Sequence, residues 1–420
     1  MGGVGGRRFL TLDDFDVKGK RVAARIDVNS SLDPITGRIQ INERFRAHAQ
    51  TIRELMDKGA RVVILAHQGR PGEPDFTDLS QHAQILEACV GREIRFIPDI
   101  VGDNAIHNIK SLAEGEALLL DNVRMIDEEV LEKSGEAHAG SIIPRRLAPL
   151  HYLFILDAFY VAHRAHSTVV GLAWILPTCA GRVLERELRS LESLLPLGRR
   201  LVFVMGGNKP RECVKVLSRF VQAGDGRVEI LLSGGILAQL FVIAGGRSLG
   251  GPSEEYLARR KHLVLLENVH SLQSQLGEAL KTPIDFAYEA PSGEREEISV
   301  EDLPADGVIY DIGCNTADLY GSIIRDLAED VTVVVKGPPG AYERGAFRRG
   351  TEMVYRSLSR TRAATLIGGG DSVTVIEKMG MRLSDFTYVS LGGGALISFL
   401  SGEHMPGLSA LERWAQHHRR

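Results

Sequence analysis

The sequence predicts an α/β protein of two lobes, each a doubly wound parallel sheet, joined by a connecting helix. Three observations predict it. Short apolar runs rich in β-branched residues recur along the chain, segments with helical periodicity separate them, and cationic or glycine-rich clusters stand directly behind the runs. The length, 420 residues, exceeds what one hydrophobic core usually organises, so two lobes are expected.

In chain order, the first half offers runs at residues 21–27, 61–67, 117–121 and 152–157. The second half offers runs at 201–205, 229–233, 308–312, 331–335 and 388–391. All read as buried parallel strands. Between the first two lies RFRAHAQTIRELMDKG (residues 44–59), where Ile52, Leu55 and Met56 share a helical face and Gly59 can end the helix. LERELRSLESLL (184–195) has the charge and leucine pattern of the connecting helix. It divides the chain into lobes 1–183 and 184–402.

Composition removes several classes. With 44% hydrophobic and 25% charged residues the chain is globular rather than disordered or fibrous. A net charge of −4 is too small to name a partner from the whole-chain field, so any anion site must be local. Cys89, Cys179, Cys213 and Cys314 are widely spaced without a CxxC pair, which argues for a reducing, cytoplasmic setting. The longest apolar stretch, residues 230–244, is broken by Ser233, Gly234, Gly235 and Gln239 and falls short of the roughly 20 residues needed to cross a bilayer. The basic tail ERWAQHHRR reads as a solvated helix end, so neither membrane nor nucleic acid is expected as a partner. Oligomeric state is not written in the sequence.

Ligands of doubly wound sheets bind beyond the carboxyl ends of the strands. In the first half these ends carry Asp27 and Asn29, then His67 and Arg70, then Arg124, then His163, Arg164 and His166, with Arg44 opening the helix behind the first strand. One arginine at such a place is usually a solvated surface group. Several converging guanidinium forks would hold a small molecule with two or more anionic groups. His163 and His166 with Asp157 lack further ligands at a recognisable metal spacing, so anion contact is the stronger reading.

The second half places MGGNK (205–209), SGG (233–235), GPPG (337–340), GGGDS (368–372) and LGGGA (391–395) behind apolar runs. Glycine allows close backbone approach and leaves its N–H open to a ligand, and a helix beginning there turns its positive end toward the same spot, which suits phosphates. A single pair of glycines is more often only a tight turn; five clusters are not so easily dismissed. No GxxxxGK[ST] or strand-linked GxGxxG is present, so neither a P-loop nor a dinucleotide fingerprint supplies the site. Lys209 and Asp371 close two clusters with the cation and the carboxylate that phosphoryl transfer and Mg²⁺ require.

These motifs, in this order, resemble the phosphoglycerate kinase family, archaeal type. RIDVNS, NERFRA, AHQGRP, LLLDNVR, DAFYVAHRAH, DIGCNT, KGPPGAYE, GGGDS and LGGGA match its pattern from about Phe9 to Leu411. The resemblance implies hinge closure between a phosphoglycerate lobe and a Mg-ADP/Mg-ATP lobe, with residues 403–420 returning to the first. It implies that Asp27, Asn29, Arg44, His67, Arg70, Arg124 and Arg164 contact phosphoglycerate. For the nucleotide it implies Gly207, Lys209, Gly235, Lys336, Gly337, Pro338, Glu343, Gly368, Gly369, Gly370, Asp371 and Ser372, with Asp371 on the metal. Arg44, Lys209, Gly369 and Gly393 would serve the transfer itself.

The chain departs from the pattern mainly on the nucleotide side. Asn208 replaces a common Ala, Cys213 a lysine found in many members, Lys336 the usual Asn, and Pro339 a Met or Ala. Ala341-Tyr342 replaces Val-Phe, and Cys314, Leu391 and Tyr160 are also unusual. Three readings follow: a working phosphoglycerate kinase with an adapted nucleotide pocket, a kinase for another phosphorylated acid, and a non-catalytic ligand-binding homologue.

Overall fold

The structure is a computed structural model describing residues 8–222, 224 and 226–418. The chain forms two compact units, Met1–Arg189 with His404–Arg420, and Ser190–Glu403. The division falls inside the helix Arg182–Leu194, a few residues beyond position 183. The reason is local. Arg182 binds Glu54 and Asp13 of the first unit at 2.7 and 2.5 Å, whereas the carbonyl of Leu194 accepts from Thr332 of the second.

The first unit holds β1 (Arg21–Arg25), β2 (Arg61–Leu65), β3 (Ile94–Ile97), β4 (Ala117–Leu120), β5 (Leu153–Leu156) and β6 (Thr178–Ala180). They form one parallel sheet in the order β3-β4-β2-β1-β5-β6. Strand order reverses at β1 and β5, which makes their carboxyl ends the switch point. Val22, Ala24, Val62, Ile64 and Ile155 pack against Phe45, Ile52 and Leu55 of the helix Glu43–Asp57. Asn42 caps that helix by accepting from the Arg44 amide at 3.0 Å, which fixes Arg44 in its first turn.

The second unit holds β7 (Arg200–Met205), β8 (Val228–Ser233), β9 (Leu280–Lys281), β10 (Asp285–Glu289), β11 (Arg295–Ser299), β12 (Val308–Ile312), β13 (Val331–Lys336), β14 (Ala364–Gly368) and β15 (Tyr388–Ser390). Its parallel sheet runs β15-β14-β13-β7-β8-β9, reversing at β7 and β13.

One expectation is corrected here. β12 does not join the parallel sheet but lies in a three-stranded antiparallel one, β11-β10-β12. Its residues alternate between buried and half-buried, the pattern of a strand with one wetter face. A turn at residues 290–294, with Gly293 at φ +84°, joins β10 to β11. The helix Pro406–His418 buries Leu411 and Ala415 in the first unit. Among the described residues no helix is long and apolar enough to cross a membrane.

Candidate active site

At the first switch point the chain leaves β1 through Asp27 and Asn29. Asp27 is buried and binds Arg44 at 3.0 Å; Arg44 also donates to the Asn29 carbonyl at 3.1 Å and lies 4.5 Å from the Tyr160 ring centroid. The side-chain oxygen of Asn29 accepts from the Gly69 amide at 2.8 Å, and Arg124 donates to the Gly69 carbonyl at 2.5 Å. Three strand ends are thereby tied together. Gly69 itself sits at φ +65°, and a Cβ there would lie 2.6 Å from the Asp75 backbone, so only glycine fits.

His67, also buried, receives a hydrogen bond on Nδ1 from Arg25 at 3.0 Å. A guanidinium can only donate, so Nδ1 accepts and the ring proton resides on Nε2. Burial first, then the charges of Arg25 and Arg124, hold the imidazole well below its ordinary pKa. His67 is therefore a neutral donor. Burial and the same two arginines, together with Arg164, bring His166 down to about 3. Arg124 falls to about 10 through burial, then repulsion from Arg25, and its Nε makes no hydrogen bond. Arg25 and Arg124 repel one another here, with Glu129 and Asp27 as the facing carboxylates, a crowding that an incoming polyanion would relieve.

Arg25 and Glu129 were not picked out by sequence reasoning. Arg25 is fully buried at the end of β1, donating to Thr168 Oγ1 at 3.0 Å. Thr168 in turn donates to Glu129, whose pKa burial lifts to about 7. For Arg25 the sequence signals are an arginine closing an apolar strand and its place at the head of RIDVNS; for Glu129 there is none. Two predicted contacts lie further out: Arg70 is exposed, and Arg164 is 44% exposed with Glu132 at 3.6 Å. Asp157 holds His48 at 3.0 Å and caps the helix Arg182–Leu194 through the Val183 and Leu184 amides. Among the described residues no group of three His, Cys, Asp or Glu is placed to hold a metal.

At the second switch point the glycine turns pack on one another. The Gly206 amide donates to the Lys336 carbonyl at 2.8 Å, Gly207 to Pro338 at 2.6 Å and Gly235 to Pro339 at 2.7 Å. A Cβ on Gly206 would sit 2.4 Å from the Pro338 oxygen. The expectation that these amides stand open for phosphate is corrected for Gly207 and Gly235: their N–H groups join loops, and their smallness is what permits that approach.

Gly337 has φ +74° within this packing. Gly369, at φ +103°, precedes the helix Gly370–Lys378, and Gly393, at φ +47°, precedes Gly394–Leu400. Gly368 ends β14 beside Lys336 in register. Ser372 is buried, its hydroxyl donating to the Gly368 carbonyl and accepting from Tyr355, so its side chain is spent inside the protein. The Asp371 side chain lies outside the described parts of the structure.

Lys209 and Glu343 are exposed. Lys336 is buried and pairs with Glu212 at 2.9 Å. Cys213 is a buried thiol pushed up to about 12 by burial, and Lys215 pairs with Glu403. A cleft of about 480 Å³ between Arg247, Asp285, Glu297 and Asn315 includes none of the predicted nucleotide residues.

Two parallel sheets, one with a cation-lined switch point and the other with a glycine-lined one, define a two-lobed α/β protein with two places suited to anionic ligands. The chain belongs to the phosphoglycerate kinase family, whose model matches residues 12–403. It is 39% identical over 406 residues to a phosphoglycerate kinase of Methanothermobacter thermautotrophicus, covering 96% of this chain and 97% of that one. Identity to the Methanopyrus kandleri enzyme is also 39%, over 402 residues, with 96% and 97% covered. The crystal structure of phosphoglycerate kinase from Pyrococcus horikoshii superposes with a TM-score of 0.88 at 32% identity, covering 97% of this chain and 99% of that one. The structure of phosphoglycerate kinase from Coxiella burnetii gives 0.79 at 28% identity, covering 97% and 100%.

Proposed function

We propose that the protein transfers a phosphoryl group reversibly between 1,3-bisphosphoglycerate and Mg-ADP, giving 3-phosphoglycerate and Mg-ATP. The observation that carries this reading is the crowd of Arg25, Arg44, Arg124 and neutral His67 at the first switch point, beside family membership over nearly the whole chain. Arg44, His67 and Arg124, with Arg70, Arg164 and the Asp27–Asn29 corner, would receive the carboxylate and phosphate of the acid. In the second unit Lys209 and Lys336 would meet the nucleotide phosphates and Glu343 the ribose, with Gly368–Gly370 and Gly393 shaping the cradle.

Mg²⁺ enters as part of the nucleotide substrate and neutralises phosphate charge. It commonly takes one or two carboxylates and fills its shell with phosphate oxygens and water; the family resemblance assigns one of these to Asp371, whose place in the chain is the first turn of the helix Gly370–Lys378. Transfer needs no protein nucleophile, since an in-line displacement through a loose transition state is stabilised by position and charge. Arg44, already braced by Asp27, is the residue suited to charge on the moving group.

A coupled assay with 3-phosphoglycerate and Mg-ATP, following acyl phosphate formation, tests this. Turnover should fall by about 10²-fold or more in Arg44→Ala and Lys209→Ala. Wild-type protein that binds 3-phosphoglycerate calorimetrically without turnover would overturn the assignment in favour of a binding homologue; failure to bind either substrate would favour another acid as substrate.

A further inference from the structure

Lys336 is the last residue of β13, at the point where the second sheet reverses order. Its backbone is fixed there, because its carbonyl accepts the Gly206 amide at 2.8 Å. Its side chain is 10% exposed, and a Cβ on Gly369 would lie 3.4 Å from its Nζ. The ammonium therefore lies against the turn that opens the helix Gly370–Lys378. A buried ammonium is costly unless it is paired. Glu212 supplies it at 2.9 Å, from the first turn of the helix Pro210–Gln222 that Lys209 precedes.

The two partners are not equally confined. The Glu212 side chain is 35% exposed and that of Lys336 10%, so Glu212 has the readier path to water. A glutamate in a first helical turn is favourable on its own account, through the helix dipole. That alone does not explain why the turn faces a buried lysine from another strand end. A phosphate drawn to the same ammonium would meet the carboxylate as a like charge at short range. Cys213, the next residue along the helix, is a buried thiol and brings no charge to relieve this.

We infer that Glu212 is a stand-in anion, which holds the Lys336 ammonium in the absence of nucleotide and releases it to a nucleotide phosphate on binding. The inference rests on the nucleotide reading of this glycine-lined switch point. It makes Glu212 an affinity-setting residue that opposes binding, and Lys336 the phosphate contact it guards.

Titration calorimetry with Mg-ADP and Mg-ATP on four proteins tests it. Glu212→Gln should bind about three- to tenfold more tightly than wild type, and Lys336→Met about tenfold more weakly. In the double variant the Glu212→Gln gain should vanish, because its route through Lys336 is gone. If Glu212→Gln fails to fold, as thermal unfolding would reveal, the shortened carboxylate of Glu212→Asp should give a smaller gain in the same direction. Unchanged or weaker binding by the folded Glu212 variant, or an equal gain with and without Lys336, overturns the stand-in role while leaving the nucleotide site intact. Wild-type protein that binds neither nucleotide overturns the site reading itself, and this inference with it.

Discussion

Arg44 shows how a single side chain is made ready for its task. A long, flexible cation would lose rotamer entropy on gripping a ligand, yet here it is held by the Asp27 carboxylate at 3.0 Å, the Asn29 carbonyl at 3.1 Å and the face of Tyr160 at 4.5 Å. Tyr160, a residue singled out above as a departure from the family pattern, supplies the aromatic face. A cation over a ring is worth about 0.5–2 kcal/mol. Tyr160→Ala should therefore raise KM for 3-phosphoglycerate roughly two- to thirtyfold, by the tenfold per 1.4 kcal/mol rule. Tyr160→Phe, which keeps the ring, should stay near wild type. Steady-state kinetics on both variants checks this, and equal losses in the two would assign the effect to the hydroxyl instead.

Among the elements, the strand ends decide the chemistry. Gly69 makes the point: its amide holds Asn29, its carbonyl holds Arg124, and its φ of +65° leaves no room for a side chain. Gly69→Ala should cost about 2 kcal/mol or more in unfolding free energy. It should also weaken 3-phosphoglycerate binding far more than Mg-ADP binding, as thermal unfolding and paired titrations would reveal. Much of this was legible in advance. Arg44, His67 and Arg124 could be placed because cations behind apolar runs fall at sheet ends. The buried Arg25–Thr168–Glu129 chain could not, because its partners lie 39 and 143 positions apart in sequence and nothing local marks them. β12 was misread for a related reason: VIYDI is apolar enough for a parallel strand, and only the turn at Gly293 and pairing with β10 make it antiparallel. On the glycine side the clusters are visible, but which amides are committed to Pro338 and Pro339 depends on loops more than about 100 residues apart meeting, which no local pattern at Gly207 or Gly235 announces.

For the molecule as a whole, the two units are not two consecutive stretches of chain. The helix Pro406–His418 belongs with the first: Gly407 donates to Ala162 at 2.9 Å, Trp414 donates to the Ala173 carbonyl at 2.6 Å, and Arg413 stacks on Trp174 at 4.0 Å. Ending the chain at Glu403 should cost about 3–5 kcal/mol, the scale of losing large core side chains. Scanning calorimetry should show the loss as a lowered transition, while Mg-ADP binding by the second unit persists. The same arrangement sets a timetable during translation. A ribosome finishes every residue of Ser190–Glu403 before it supplies the helix that seals the first sheet, so the stretch begun earliest is the last to close, against the usual N-terminal-first sequence of events.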